Sequence, residues 1–155
     1  VTRSEFLSLT MAAVGMKPLE QVTVTGFYDD PAIPTWAKGY AASALKAGVI
    51  QGQVSEDGDV VFSADSPITR AEAAVMLDQA LAVTDTAAVG SFGDSELVPA
   101  WAGQAAANLE SVGVLRTDGE GVLSLSGTVD RAEAAQMLCA ALEVLDSRKA
   151  SGWFG

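Results

Sequence analysis

A mostly helical fold built from a repeated unit is what this sequence predicts, and three observations carry the prediction. A short motif occurs three times, as Thr2-Arg3-Ser4-Glu5, Thr69-Arg70-Ala71-Glu72 and Asp130-Arg131-Ala132-Glu133, with the arginines 67 and 61 residues apart. An apolar stripe of helical period follows each copy, and a tryptophan-centred run precedes two of the three. Self-similarity at a period of about 60 residues is the mark of structural units that stack to share a core. The chain holds two whole copies and the back half of another.

The helix after each motif follows from its residues. Thr69 and Glu72 have the spacing of a capping box, in which the hydroxyl accepts from the third helical N–H and the glutamate reaches back to the cap. Downstream, Ala73, Met76, Leu77, Ala80 and Leu81 fall on one face. Ala134, Met137, Leu138, Ala141 and Leu142 repeat the stripe, as do Phe6, Leu9, Thr10, Ala13 and Val14. Three matching stripes predict three helices packed on one another at the centre of the molecule. The arginine is the odd member of the motif, because a cation in the first turn sits at the positive end of the helix dipole.

The second element is Phe27-Tyr28-Asp29 with Pro34-Thr35-Trp36-Ala37, matched by Phe92-Gly93-Asp94 with Pro99-Ala100-Trp101-Ala102. Each tryptophan opens an alanine-rich helix, over Trp36–Lys46 and Trp101–Ser111, ended by Gly48 or Gly113, the glycine expected just past a helix C-terminus. Between the two helices of a unit, Asp57-Gly58 before Val60, Val61 and Phe62 predicts the tip of a small hairpin. The clustered acids Glu56, Asp57 and Asp59 lack the order and closing glutamate of an EF-hand, which argues against a calcium loop.

Composition narrows the function. Of 155 residues, 49% are apolar and 19% charged, a globular balance. Nine basic against twenty acidic side chains give a net charge of −11, which argues against nucleic acid as a partner and against an anionic membrane surface. An anion would have to be held by local geometry. With no histidine and the single Cys139 inside an apolar helical pattern, histidine catalysis, zinc sites and internal disulfides fall away; no metal or cofactor is expected. No apolar run approaches the ~20 residues that span a bilayer. The chain opens inside a helix start with no signal peptide visible, as expected of a mature fragment or of a trimmed piece of a longer chain.

In the order Phe27, Asp29, Trp36-Ala37, Gly48 to Gly52, Phe62 and Ile68 to Glu72, the sequence resembles tandem S-layer homology domains, the cell-wall anchoring modules of bacterial surface proteins. The resemblance implies three units around a central helix bundle with pseudo-threefold character and grooves between neighbours. Its units would be residues 1–26, the C-terminal half of a first repeat, 27–91, a divergent 92–145, and a tail, 146–155. It implies a non-catalytic, extracellular module on a Gram-positive type wall that binds a secondary cell-wall polymer, an acidic polysaccharide often ending in pyruvylated N-acetylmannosamine. The alternative is a self-assembly module of a surface layer.

By the same resemblance the motif arginine contacts the acidic sugar, with Arg70 the strongest candidate, Arg3 next and Arg131 third. Asp29 and Asp94 would accept from sugar hydroxyls, Gly52 would let backbone approach the ligand, and Trp36 and Trp101 would offer ring faces. Each has a structural alternative: an ion pair for Arg70 with Asp65 or another acid, turn fixing for the aspartates, a core wedge for the tryptophans. Asp130, Thr117 and Leu123 stand where the second copy has Thr69, Gly52 and Phe62, which weakens the third copy as a binder. Arg148, Lys149, Trp153 and Phe154 in the tail either dock on the body or form a free terminus.

Overall fold

Three helices begin on the repeated motif: α1, Arg3–Ala13, α3, Arg70–Leu81, and α5, Arg131–Gly152. This is a computed structural model, and it describes residues 1–83 and 92–152. Thr2 and Thr69 close reciprocal capping boxes with Glu5 and Glu72. At α5 the Asp130 carboxylate accepts from the Glu133 N–H at 2.8 Å. Two further helices, α2, Thr35–Ala47, and α4, Gly103–Ser111, follow the Phe-x-Asp elements. The mostly helical expectation holds among the described residues, with little strand.

The second tryptophan helix starts later than expected. Trp101 precedes α4 instead of opening it, whereas Trp36 is the second residue of α2. Gly48 ends α2 in the left-handed conformation, at φ +77°. The hairpin forms as β1, Gln53–Val54, against β2, Val60–Val61, antiparallel, with Gln53 opposite Val61. The third unit makes its turn without strands. Gly58 N–H to Ser55 O and Ser55 N–H to Asp59 O recur as Gly121 to Asp118 and Asp118 to Val122.

Each of α1, α3 and α5 touches the other two, and α2 lies on α1 as α4 lies on α3. Phe6, Leu7 and Met11 from α1, Leu77 and Leu81 from α3, and Met137 and Ala141 from α5 are buried in the shared core. Full burial of a side chain such as Phe6 is worth about 1.5–3 kcal/mol over leaving it in water. The outer helices present alanine inward, at Ala37, Ala41 and Ala44 on α2 and at Ala105 and Ala106 on α4, so their backbones approach the inner layer closely.

The first N–H groups of a helix have no acceptor within it. Those of α1 donate outward, Arg3 to Ser66 O and Ser4 to Ala64 O. Those of α3 do the same one unit later, Arg70 to Gly127 O and Ala71 to Leu125 O. Just before the caps, Ile68 N–H donates to Val1 O, Val129 N–H to Ile68 O, and the Val1 ammonium to Val129 O, so three main-chain bonds close a cycle.

The tail to Gly152 continues α5, and the Arg148 guanidinium donates to Leu81 O at the end of α3. Trp153, Phe154 and the 91/92 unit boundary fall at or outside the limits of the described residues.

Candidate functional site

The motif arginines reach across unit boundaries, which their sequence spacing does not reveal. Arg3 is buried; its Nε donates to Phe62 O at 2.8 Å and its Nη1 to Glu72 Oε2, while its guanidinium lies 5.6 Å from the centre of the Phe62 ring. Phe62 stacks in turn on Phe27, with ring centres 5.5 Å apart. Burial pulls the Arg3 guanidinium below its ordinary range, and Glu72 opposes that shift. Glu72 is shared: Oε1 accepts from the Thr69 N–H and hydroxyl, Oε2 from Arg3 and from Gln53 Nε2 at 2.8 Å.

Arg70 makes the equivalent contact one unit on. Its Nε and Nη2 donate to the two oxygens of Glu133 at 2.7 and 2.5 Å, and its Nη1 donates to Ser124 O at 3.1 Å. The hydrogen bonds to Glu133 hold its pKa above the ordinary value. Of the acids open to Arg70, Glu133 is the one it takes, and Asp130 explains the fork: a carboxylate cap has no hydroxyl to donate, so both Glu133 oxygens are left for the arginine. Arg131 is exposed near Glu5, and among the described residues it has no hydrogen bond or ion pair.

Two grooves result. The first, 420 Å³, is lined by Arg3, the loop Gly48–Gln53, Glu72, Gln79 and Trp101, drawn from three successive units. The second, 310 Å³, joins Arg70 to Val114–Asp118, Ser124, Glu133 and Gln136. The structure therefore places Gly52 with Arg3, not with Arg70, and brings Trp101 to the same groove. Among the candidate residues, Arg3, Gly52 and Trp101 come together; Arg70, Arg131 and Trp36 each stand elsewhere. The second groove has Thr117 and Asp118 along its loop and no tryptophan among its lining residues.

The tryptophans are not core wedges. Trp36 is 56% exposed and Trp101 61%, while the small neighbours Ala37 and Ala102 turn inward. Asp29 accepts from the Phe62 and Ser63 N–H groups, both at 2.8 Å, and Asp94 accepts from Leu123 and Ser124 at 3.0 and 2.9 Å. The aspartates thus have the turn-fixing use. Each pins a serine in the left-handed region, Ser63 at φ +59° and Ser124 at φ +53°. Gly52, at φ +79°, has a packing reason of its own, since a Cβ there would lie 2.8 Å from both Phe27 Cε1 and Val60 Cγ1.

Sequence reasoning missed Glu72, Gln53 and Gln79 as groove residues. The capping role of Glu72 hid its second use, and nothing in their spacing marks the two glutamines. Among the described residues no cluster of metal-ligating side chains occurs, and no helix is long and apolar enough to cross a membrane.

Residues 26–74 match the family model of the S-layer homology domain. The chain is 28% identical over 148 residues, 92% of its length, to an amylopullulanase of Thermoanaerobacterium thermosulfurigenes. It shows the same identity over the same length to the exoglucanase XynX of Acetivibrio thermocellus. It spans 8% of the first relative and 13% of the second.

Proposed function

Because residues 26–74 carry an S-layer homology domain, a module that generally anchors surface proteins to the cell wall, we propose that this chain is a non-catalytic anchor for an acidic, pyruvylated secondary wall polysaccharide. The observation that carries the reading is the groove around Arg3. It joins a guanidinium, an exposed indole face, a glycine-ended loop and two carboxamides in one concavity of a size that takes a few sugar rings.

Arg3 Nη2 has no partner among the described residues, so the planar fork keeps donors for a ligand carboxylate. Glu72 offsets its charge, so recognition here works by directed hydrogen bonds more than by a positive field. Gln53 and Gln79 would bond hydroxyls and Trp101 would stack on a ring. The Arg70 groove, with Asp118 on its rim and all three guanidinium nitrogens already donating within the protein, serves as the weaker site, and Arg131 as the third.

We read residues 1–26, 27–91 and 92–145 as units about a pseudo-threefold axis. The cycle through Val1, Ile68 and Val129 supports this, as do the successive Arg3–Glu72 and Arg70–Glu133 pairs. The polymer partner and the wall location belong to the same proposal, as does membership of a larger surface protein. The test is co-sedimentation with Gram-positive sacculi before and after acid extraction of the secondary polymer. Binding that disappears on extraction supports the anchor, and failure to sediment with intact walls sinks it.

A further inference from the structure

Arg3 and Arg70 are held alike at the main chain, since the Arg3 N–H donates to Ser66 O and the Arg70 N–H to Gly127 O, yet their guanidiniums diverge. Arg3 turns inward. Its Nε reaches the Phe62 carbonyl, its guanidinium lies against the Phe62 ring, Nη1 meets a single oxygen of Glu72, and Nη2 is left over among the described residues. Arg70 turns outward, with Nε and Nη2 on the two oxygens of Glu133 and Nη1 on Ser124 O. Its side chain is 25% exposed, against 7% for Arg3.

Three residues of the third copy account for the outward pose. Leu123 stands where the second copy has Phe62, and it offers no ring face to a cation. Gly127 stands where the second copy has Ser66, and a Cβ on residue 127 would collide with Arg70 Nη1, so a serine there excludes this pose. Asp130 stands where the second copy has Thr69. The Thr69 hydroxyl donates to Glu72 Oε1 at 2.8 Å and so withholds that oxygen from Arg3. Asp130 has no hydroxyl, and both oxygens of Glu133 go to Arg70.

Two parallel bonds to a carboxylate are also what an arginine would offer a carboxylate on a ligand. Resting on the reading of this chain as an anchor for an acidic polysaccharide, we propose that Glu133 fills the Arg70 fork in the ligand's place, and that Leu123, Gly127 and Asp130 decide which of the two grooves is open. The two grooves carry the same arginine, and the choice between them lies in the third copy's residues around it. Asp130 acts twice, by lacking the hydroxyl and by setting a second negative charge near Arg70 that an incoming anion must meet. An acidic sugar can enter the Arg3 groove through the spare Nη2, whereas at Arg70 it must first displace Glu133.

The test reverts two of the three in the full chain, as Gly127→Ser with Asp130→Thr. Gly127 lies outside the left-handed region and a threonine already caps α3, so the melting temperature is expected to hold. A crystal structure of the polymer-free double variant reads the fork. Arg70 is expected to turn inward, with Nε on the Leu123 carbonyl, one oxygen of Glu133 on the new hydroxyl and one Nη free. Calorimetric titration of purified acidic wall polymer reads the consequence, in a Trp101→Ala background that weakens the Arg3 groove. There the double variant is expected to bind about tenfold more tightly than its parent, the worth of one charge-assisted hydrogen bond. Gln136→Ala, in the lining of the Arg70 groove, is expected to remove the gain. Asp130→Thr alone, at an exposed cap, shifts both readouts in the same direction. An Arg70 still forked on Glu133 overturns the proposal, as does an inward Arg70 with no gain in affinity. So does a gain matched by Glu20→Gln, which removes one exposed acid that lines neither groove. Failure of the wild type itself to bind the polymer is a separate result: it sinks the anchor reading, and this proposal with it, whatever the pose of Arg70.

Discussion

The guanidiniums of Arg3 and Arg70 hold the same motif position but differ in burial, and the difference decides what their loss costs. Arg3→Ala leaves Glu72 facing a buried, emptied site, and breaking a buried pair from one side costs about 3–5 kcal/mol. Arg70, a quarter exposed in its side chain, shares its charge with solvent, and Arg70→Ala is expected to cost about 1 kcal/mol or less. Urea unfolding of both variants checks the order. A carboxylate supplies the pH dependence. Hydrogen bonds from Lys38 and from the Thr25 main chain and hydroxyl pull the Asp30 carboxyl from 3.8 to about 2. A depressed carboxyl stabilises the fold above its unfolded value and loses that contribution as pH falls through the folded one. The stability gap between wild type and Asp30→Asn is therefore full above 3.8 and closes as pH approaches 2. Unfolding curves over that window test it, and a gap that stays constant contradicts the assignment. At this scale the sequence marked the motif arginines as unusual but not their partners, because an ion pair between units leaves no local spacing to read.

The helices were legible because capping boxes and apolar stripes are local signals. α1 and α3 start on their motifs as the pattern predicts. The later start of α4 and the run of α5 to Gly152 were less legible. Both depend on tertiary contacts, the burial of Ala102 in one case and the bond from Arg148 to Leu81 O in the other. From its spacing alone the Phe-x-Asp element suits binding and turn fixing alike. Its two oxygens meeting two consecutive N–H groups some thirty residues downstream are a tertiary fact. Asp29→Ala strands the Phe62 and Ser63 N–H groups and releases the left-handed Ser63, and unsatisfied donors of this kind cost about 1–3 kcal/mol. Asp94→Ala is expected to act in the same direction on Leu123 and Ser124. Thermal melts of the two variants test whether both units use the same clasp.

At the scale of the whole molecule, the proposed function sets a chain of net charge −11 to take up an acidic polymer against its own field. Long-range repulsion slows encounter, and salt screens it over about 8 Å at physiological ionic strength. Association with the isolated polymer is therefore expected to quicken from low salt to about 0.15 M. A basic polyanion binder behaves in the opposite way, and surface-plasmon kinetics distinguish the two. The grooves follow from the order of the repeats, and this was the least legible feature of the sequence: Gly52 lies in the same copy as Arg70, while the fold hands it to Arg3 of the preceding one. That regrouping is the central claim, and calorimetric titration of purified acidic wall polymer into three proteins tests it most directly: wild type, Trp101→Ala and Gln136→Ala. Both substitutions fall on exposed side chains, so the fold is expected to stay intact. The Arg3 groove as principal site predicts affinity reduced by about tenfold in Trp101→Ala, the size of one lost stacking contact of ~1–3 kcal/mol by analogy with aromatic stacking on nucleic-acid bases, and little changed in Gln136→Ala. Loss in Gln136→Ala with full affinity in Trp101→Ala would contradict it and return the site to Arg70.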